Sequence, residues 1–453
     1  MAKTKYDFNK NAQAEIYDNG GTIYIVGGAL RDDIIGISDI KDKDYVITGI
    51  DMESLISILS KHGNTDFVGK SFGVIKFTSF NETVDIALPR LEKSTGDNHT
   101  DFTVHYDHNM PIEKDLGRRD FSINAMAFDI KTDTLIDPYD GMEMIQNKTI
   151  RHIYDGAFVE DPLRMMRAMQ FASRLKFKIS ADTARSITKN KELINSVSGE
   201  RILCEIEKIL TKSEFPSIAF NAMKDTGLLE YVIPPLHKTI GVSQPLKFHN
   251  LDVYGHITHA IDSAMSTKLH VRMAALFHDV GKPVTYTNEN GEVHFFGHEN
   301  VGSTMASNIL RKWHASDKLI HDVTTLIKNH MFDITFETSD RSARRLINRV
   351  GEELIYDLID LRIGDRLASG KPFLSMGKIA RFRDMVDSEL AEPAFSLQHL
   401  CVDGNDLIEM GLKPGPMFRT ILHDMLELVL DDKKLNDKET LKTLIIEKYK
   451  VIQ

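Results

Sequence analysis

Cysteine occurs only twice in 453 residues, at Cys204 and Cys401. That is too few for a disulfide framework, and a reducing cytoplasm is the expected setting. Long apolar runs are missing too: there is no membrane-length hydrophobic stretch, and no apolar signal core follows the opening Met1-Ala2-Lys3-Thr4. Neither a membrane nor a secreted protein is expected. Positive charge is not in excess. Lys and Arg number 56 against 66 Asp and Glu, a net of −10, which argues against indiscriminate nucleic-acid binding but allows a local basic face. Repeats and low-complexity tracts are absent. What remains is 42% hydrophobic and 27% charged residues, a composition that buries sizeable cores, in a length suggesting roughly three domains.

The first part of the chain alternates strand and helix signals. Thr22 to Val26 reads as a buried strand, Gly27-Gly28 as a tight turn, and Ala29 to Ile35 as a short helix. Asp44 to Thr48 reads as a second strand, Met52 to His62 as a helix, and Phe72 to Thr78 with Glu82 to Leu88 as paired strands. The polar stretch from Leu91 to Pro111 reads as a mobile loop. After Arg151 the periodicity is helical, over Glu160 to Leu175, Gly199 to Thr211 and Phe215 to Leu228. Pro234-Pro235 and Gly241 to Pro245 read as a linker-like break, and Leu426 to Lys450 as an amphipathic helix. The expected division is an α/β head over residues 1–150, a helical neck over 151–235, a helical domain over 236–372 and a helical tail over 373–453.

Three features of the first half suggest chemistry. Gly27 and Gly28 sit where a strand becomes a helix, so backbone N–H groups can approach an anion, and Arg31 can add a forked contact to phosphate. Asp42 and Asp44 lie two apart at a strand start and so share a face, where paired carboxylates can hold divalent cations. Asp85, between Val84 and Ile86 that point the other way, is a candidate third ligand or an arginine partner. From Leu163 to Lys191, eight basic residues stand against the single acid Asp182. The run is either a solvated helix face or a surface for RNA phosphates.

In combination these segments resemble a family. Ile25-Val-Gly-Gly-Ala-Leu-Arg-Asp32 followed by Asp42 and Asp44 resembles the catalytic motif of tRNA nucleotidyltransferases, the CCA-adding enzymes, of the bacterial class shared with poly(A) polymerases. Asp115-Leu-Gly-Arg-Arg-Asp-Phe-Ser-Ile-Asn-Ala-Met-Ala127 is similar to their second signature, and Glu160-Asp-Pro-Leu-Arg-Met-Met-Arg167 to their nucleotide-selecting helix. Ala87 to Gly96 and Asp137 to Gly141 also fit, so the likeness covers roughly residues 20–230 in order. Gly117 departs from the family, which more often has a longer polar residue there. The resemblance implies a polymerase-β-like α/β head followed by all-α neck, body and tail regions. It implies Mg²⁺ at Asp42 and Asp44, and contact of Gly27, Gly28, Arg31, Arg119, Arg164 and Arg167 with the incoming nucleotide. Asp161 and Arg164, three apart and read here as neighbours on one helix face, would select the base. A carboxylate accepts from an exocyclic amino group and a guanidinium donates to the acceptor beside it, the order that cytosine and adenine share.

His237 to His330 holds 11 of the 18 histidines. Val253-Tyr-Gly-His256, Leu276-Phe-His-Asp-Val-Gly-Lys-Pro283, Gly297-His298, Asn329-His330 and Gly364-Asp365 resemble an HD metal-dependent phosphohydrolase domain. The resemblance implies His256, His278, Asp279 and Asp365 as ligands of a divalent transition metal or Mg²⁺, with His298 and His330 added in two-metal versions. His249, His259, His270, His314 and His321 read as surface or core fillers. Val402 to Pro416 resembles the tail of many CCA-adding enzymes, whereas HD-bearing relatives often stop sooner. The expectation is a cytoplasmic enzyme that adds C and A to the 3′ end of tRNA from CTP and ATP, without a membrane partner, with HD phosphohydrolase chemistry for end repair. Alternatives are a poly(A) polymerase or a partial enzyme adding only CC or only A. From another class, the alternative is an RNA-binding or sensing module with an inactive head.

Overall fold

The computed structural model describes residues 5–37, 43–68, 73–80, 82–94, 102–245, 250–290, 292–332, 334, 338–369 and 376–450. Asp42, His249 and Gly370-Lys371-Pro372 lie outside them. The chain forms two compact units, Met1–Val232 and Ile233–Gln453. Among the described residues no helix is long and apolar enough to cross a membrane.

Unit 1 begins with α1 (Lys10–Asp18), β1 (Thr22–Val26), α2 (Gly27–Ile35), β2 (Asp44–Thr48), α3 (Met52–His62), β3 (Asn64–Val68), β4 (Val74–Ser79) and β5 (Glu82–Ala87). Then come β6 (Arg90–Ser94), β7 (Phe102–Tyr106), α4 (Ile112–Gly117), β8 (Ala127–Asp129), β9 (Thr134–Ile136), α5 (Gly141–Gln146) and β10 (Thr149–Ile150). One mixed sheet has the order β3-β4-β5-β2-β1-β8-β9. Its central strands run antiparallel with Val26 opposite Asp44, and β2 runs parallel to β5 with Asp44 opposite Asp85. Alternation sorts the two faces. Tyr45 packs under Phe8, which also meets Phe77, while Val46 joins Val26, Ile112, Leu116, Ala125 and Ala127 in a core on the other side. Asp44 shares that second face but stands exposed at the strand's end. The Leu91–Pro111 stretch is not simply a loop: β6 and β7 pair antiparallel within it, Arg90 opposite Tyr106. Strand β3, on the sheet edge, carried too little alternation to be seen in advance.

The helical remainder of unit 1 is α6 (Ala157–Glu160), α7 (Leu163–Leu175), β11 (Lys178–Ile179), α8 (Ala181–Asn190), α9 (Gly199–Lys212), α10 (Ser217–Thr226) and α11 (Leu229–Val232). The expected helix from Glu160 to Leu175 is two helices. Pro162 disfavours helical geometry at the residue before it, and Asp161 is extended at φ −139°, ψ 98°. Helix α7 is the core of this part, with ten of its 13 residues buried.

Unit 2 starts with α12 (Pro234–His237), so the Pro-Pro pair opens a helix and does not form a linker; proline's missing N–H costs nothing in a first turn. There follow α13 (Val253–Ser263), α14 (Leu269–Phe277), α15 (Lys282–Thr285), β12 (Thr287–Glu289), β13 (Glu292–His294), α16 (His298–Lys312), α17 (Asp317–Asn329), α18 (Asp340–Val350) and α19 (Ile355–Leu367). The chain closes with α20 (Met376–Ala391), α21 (Gly404–Glu409), α22 (Pro416–Asp431) and α23 (Lys438–Tyr449). The expected helix from Leu426 to Lys450 is thus the end of α22 and all of α23. With α21 and the residue Val402 before it, they build a small core from Val402, Leu407, Ile421, Met425, Val429, Leu441 and Ile445.

Candidate nucleotide cleft and candidate metal centre

Unit 1 holds a cleft of about 1090 Å³ between the carboxylate end of β2 and β5, the Gly27 turn, and helices α7 and α9. It is lined by Asp44, Asp85, Gly27, Gly28, Arg31, Arg119, Asp161, Arg164 and Arg167, every expected head residue that falls among the described ones. Gly27 has φ +71°, and a Cβ there would lie 3.0 Å from Arg119 Nη1 and 3.6 Å from Asp44 Oδ2. The bare backbone thus keeps open the space between a cation and a carboxylate. Among the described residues, the buried Nε of Arg119 has no acceptor, which leaves a donor for a ligand.

The arginines are anchored before any ligand arrives. Arg31 is almost fully buried; its Nη2 meets Asp32 at 2.6 Å and its Nη1 donates to Asn124 Oδ1 at 2.6 Å. Arg167 Nε donates to Asp120 Oδ2 at 2.7 Å. Both guanidiniums sit against the Phe171 ring, at 5.0 and 5.3 Å. Arg118 and Arg119 share the fully buried Asp115, at 2.8 and 3.2 Å. Carboxylates at the rear thus hold the forks in position, so little ordering is left for a bound polyanion to impose. Gly117, where the family often has a longer side chain, lies against Tyr139; a Cβ would fall 2.4 Å from its hydroxyl.

Asp120 is buried, which by itself would raise its pKa, but the charge of Arg167 and hydrogen bonds from Asn124, Arg167 and the Phe121 amide outweigh this and lower it. A depressed carboxylate contributes stability above its unfolded pKa, near 4, and loses that contribution as pH falls through the folded value. Asp120→Asn is expected to lower the thermal midpoint at pH 6 yet to lose less stability than wild type between about pH 4 and pH 2. Thermal unfolding across that range reads the difference.

Asp161 and Arg164, the pair expected to read the base, differ from expectation in placement. Asp161 is not on the helix that carries Arg164; it caps the break before α7, and its carboxylate is paired with Arg201 of α9 at 3.2 Å. Arg164 is buried, donating to Tyr154, Glu160 and the carbonyls of Ala157 and Arg118. The two residues still line one cleft, brought together by the turn. The basic run from Arg164 to Lys191 is not one face either. Arg164, Arg167 and Arg174 face the cleft, whereas Lys176 meets Glu214, Arg185 meets Asp182, and Lys191 lies over Tyr231. Arg118, Asp120, Asn124, Arg201, Lys208 and Lys212 also line the cleft without having been given a role. For the last three on α9, the i, i+7, i+11 spacing was the available signal.

In unit 2, His256 of α13, His278 and Asp279 after α14, His298 at the start of α16, His330 after α17 and Asp365 of α19 converge in the interior, each less than a tenth exposed. They form two groups suited to a cation: His256, His278 and Asp365, and Asp279, His298 and His330. His256 Nε2 is 3.0 Å from Asp365 Oδ1, and His298 Nε2 is 3.3 Å from Asp279 Oδ1. Each ring places Nδ1 near a backbone carbonyl: Ala368 for His256, Ala275 for His278, Phe295 for His298 and Ile327 for His330. Donation from Nδ1 leaves each Nε2 lone pair aimed inward. His256 Nε2 and His278 Nε2 then stand 3.3 Å apart, and His298 Nε2 and His330 Nε2 3.4 Å apart. Facing lone pairs repel unless a positive charge lies between them. Burial alone would lower the pKa of His278, yet Asp279 and then Asp365 overcome it and raise it. Burial and then His278 push His330 down to about 3. Gly281 permits the arrangement, because a Cβ there would fall 2.2 Å from His298 O. Of the histidines read as fillers, His270 pairs with Asp357, and His259, His314 and His321 are outside the cluster.

Residues 23–151 match the model of a "Poly A polymerase head domain", residues 176–240 that of a "Probable RNA and SrmB- binding site of polymerase A", and residues 293–445 a tRNA nucleotidyltransferase domain 2. A Multifunctional CCA protein of Vibrio parahaemolyticus is 38% identical over 276 residues, 59% of this chain and 65% of that protein. One of Haemophilus influenzae is 35% identical over 295 residues, 62% of this chain and 68% of that protein. The chain thus spans about two thirds of the length of these relatives. The crystal structure of the Bacillus stearothermophilus CCA-adding enzyme in complex with CTP superposes with a TM-score of 0.70 at 22% identity, covering 97% of this chain and 96% of that one. That likeness shows the fold, a polymerase-β-like head followed by a largely helical body. The chain belongs to the poly(A) polymerase-like tRNA nucleotidyltransferase family, that of the CCA-adding enzymes.

Proposed function

We propose that the chain adds C and A to the 3′ end of tRNA from CTP and ATP. The observation that carries this reading is one cleft with carboxylates at one wall and anchored arginines at the other. The donor set there, Asp44 beside Asp85 across adjacent strands, with Asp42 by resemblance, suits a hard oxygen-seeking cation. These residues would hold Mg²⁺, which when bound makes the RNA hydroxyl more acidic and offsets charge on the departing pyrophosphate. The 3′ oxygen forms a bond to the α-phosphorus as the bond to the β-phosphate oxygen breaks. The Gly27-Gly28 turn, Arg31, Arg119 and Arg167 neutralise the triphosphate, and Asp161 and Arg164 read the base edge. Arg201 holds the Asp161 carboxylate at the cleft wall until a base takes its place. The neck over residues 151–235 supplies this reading wall and the tail over 373–453 an RNA contact, in a reducing cytoplasm that keeps Cys204 and Cys401 free. The purified protein is to be given tRNA lacking its last three nucleotides with CTP, ATP or both. Two added residues with CTP alone and three with both are expected. A long A tract would assign a poly(A) polymerase, and no extension an inactive head.

A second reading is favoured by the inward-facing histidines. We infer that residues 236–372 are an HD phosphohydrolase domain in which His256, His278, Asp279 and Asp365, joined by His298 and His330, hold a divalent transition metal or Mg²⁺. Such an ion supplies an activated water and Lewis acidity when bound. Arg362 fixes Asp365 at 2.7 Å and Lys282 fixes Asp279 at 2.6 Å, so the ligands are oriented in advance. Opening of 2′,3′-cyclic phosphates or hydrolysis of terminal phosphates on RNA would prepare damaged ends for addition.

A further inference from the structure

The hairpin that leads into His298 carries aromatic surface that builds no core. Phe296 is 79% exposed, and its ring lies parallel to that of His294, 5.1 Å away and inclined by 12°. Tyr286, at the other foot of β12 and β13, is 42% exposed and meets Phe295 edge to face. The same hairpin is tied to the metal centre at two points. Phe295 O accepts from His298 Nδ1 at 2.8 Å, and the Lys282 ammonium lies over the Phe295 ring at 5.3 Å while bonding Asp279 at 2.6 Å. A stacked aromatic pair, Phe296 exposed and His294 partly so, two residues from a histidine of the cluster offers an unpaired base a π-face to stack on, as single-stranded nucleic-acid sites do.

We propose that His294 and Phe296 form a stacking platform for the unpaired nucleobase at an RNA 3′ end, presenting its terminal phosphate toward the histidine–aspartate cluster. The proposal rests on the phosphohydrolase reading and names its substrate class: a base-bearing, single-stranded 3′ end in preference to a small phosphate ester. A protein partner on this surface is the competing occupant.

The test uses the full chain with Mn²⁺ present and a five-nucleotide RNA bearing 2-aminopurine at its last position and a 3′-phosphate. Stacking quenches 2-aminopurine, so fluorescence reports the contact without turnover. Phe296→Ala is expected to weaken quenching-detected binding and raise the KM for this RNA about ten-fold, while Phe296→Trp restores both. Hydrolysis of p-nitrophenyl phosphate is expected to match wild type in both variants. Wild-type quenching that Phe296→Ala leaves intact, no quenching at all, or equal loss of small-ester hydrolysis in Phe296→Ala would each overturn the platform. Quenching lost in Phe296→Ala with no hydrolysis of either substrate by wild type would uphold the platform and defeat the phosphohydrolase reading instead.

Discussion

Asp44→Asn and Asp85→Asn are each expected to lower nucleotide incorporation by about 10³-fold or more, with tRNA affinity unchanged. Asparagine keeps the shape but loses the charge a hard cation requires. Asp44 is exposed at the end of β2, and Asp85, 40% exposed, is 3.8 Å from Lys76, a surface pair of small worth. The Val84 and Ile86 side chains that hold the strand in the core face the other way. Incorporation of labelled CTP into tRNA lacking its terminus measures the first quantity, and filter binding of the same tRNA the second. Either variant within ten-fold of wild type would remove these carboxylates from the mechanism.

The second large effect concerns unit 2. On the phosphohydrolase reading, the full chain retains a divalent metal after desalting. His278→Gln is expected to reduce the metal retained by at least half and 3′-phosphate release by about 10²-fold or more, while CCA addition persists. A chelator is expected to lower the unfolding temperature of this unit, since a cation bound only by the native state stabilises it in proportion to its affinity. Metal analysis, phosphate release and calorimetry check the three parts. Loss of nucleotide addition in His278→Gln alongside phosphate release would contradict two separate sites.

Much of this was legible because the chemistry sits in short contiguous segments. The strand-to-helix turn at Gly27, the carboxylate on β2 and the His278-Asp279 pair each announce themselves within a few residues, and the cleft and cluster bring them together. What was not legible depended on pairing at a distance. Helical spacing placed Asp161 beside Arg164, but the proline between them broke the helix and gave Asp161 a partner 40 residues away, Arg201. Pro162 was the clue to that break. Strands β6 and β7 mix charged with apolar residues in sequence and, among the described residues, pair with each other and not with the main sheet, so their register rests on each other and not on a pattern the sequence shows. The buried anchors Asp115 and Asp120 lay inside a quoted signature, yet only the fold shows that they hold Arg118, Arg119 and Arg167 from behind.

The central claim is that the carboxylates of β2 and β5 grip a divalent cation against a nucleoside triphosphate. A crystal structure of the chain soaked with CTP and Mn²⁺, read by the anomalous signal of the metal, tests it most directly. The account predicts a metal peak bonded to Asp44 and to triphosphate oxygens, with the phosphates over the Gly27 turn. A triphosphate bound elsewhere, or one bound here with both carboxylates turned away from any metal, would contradict it.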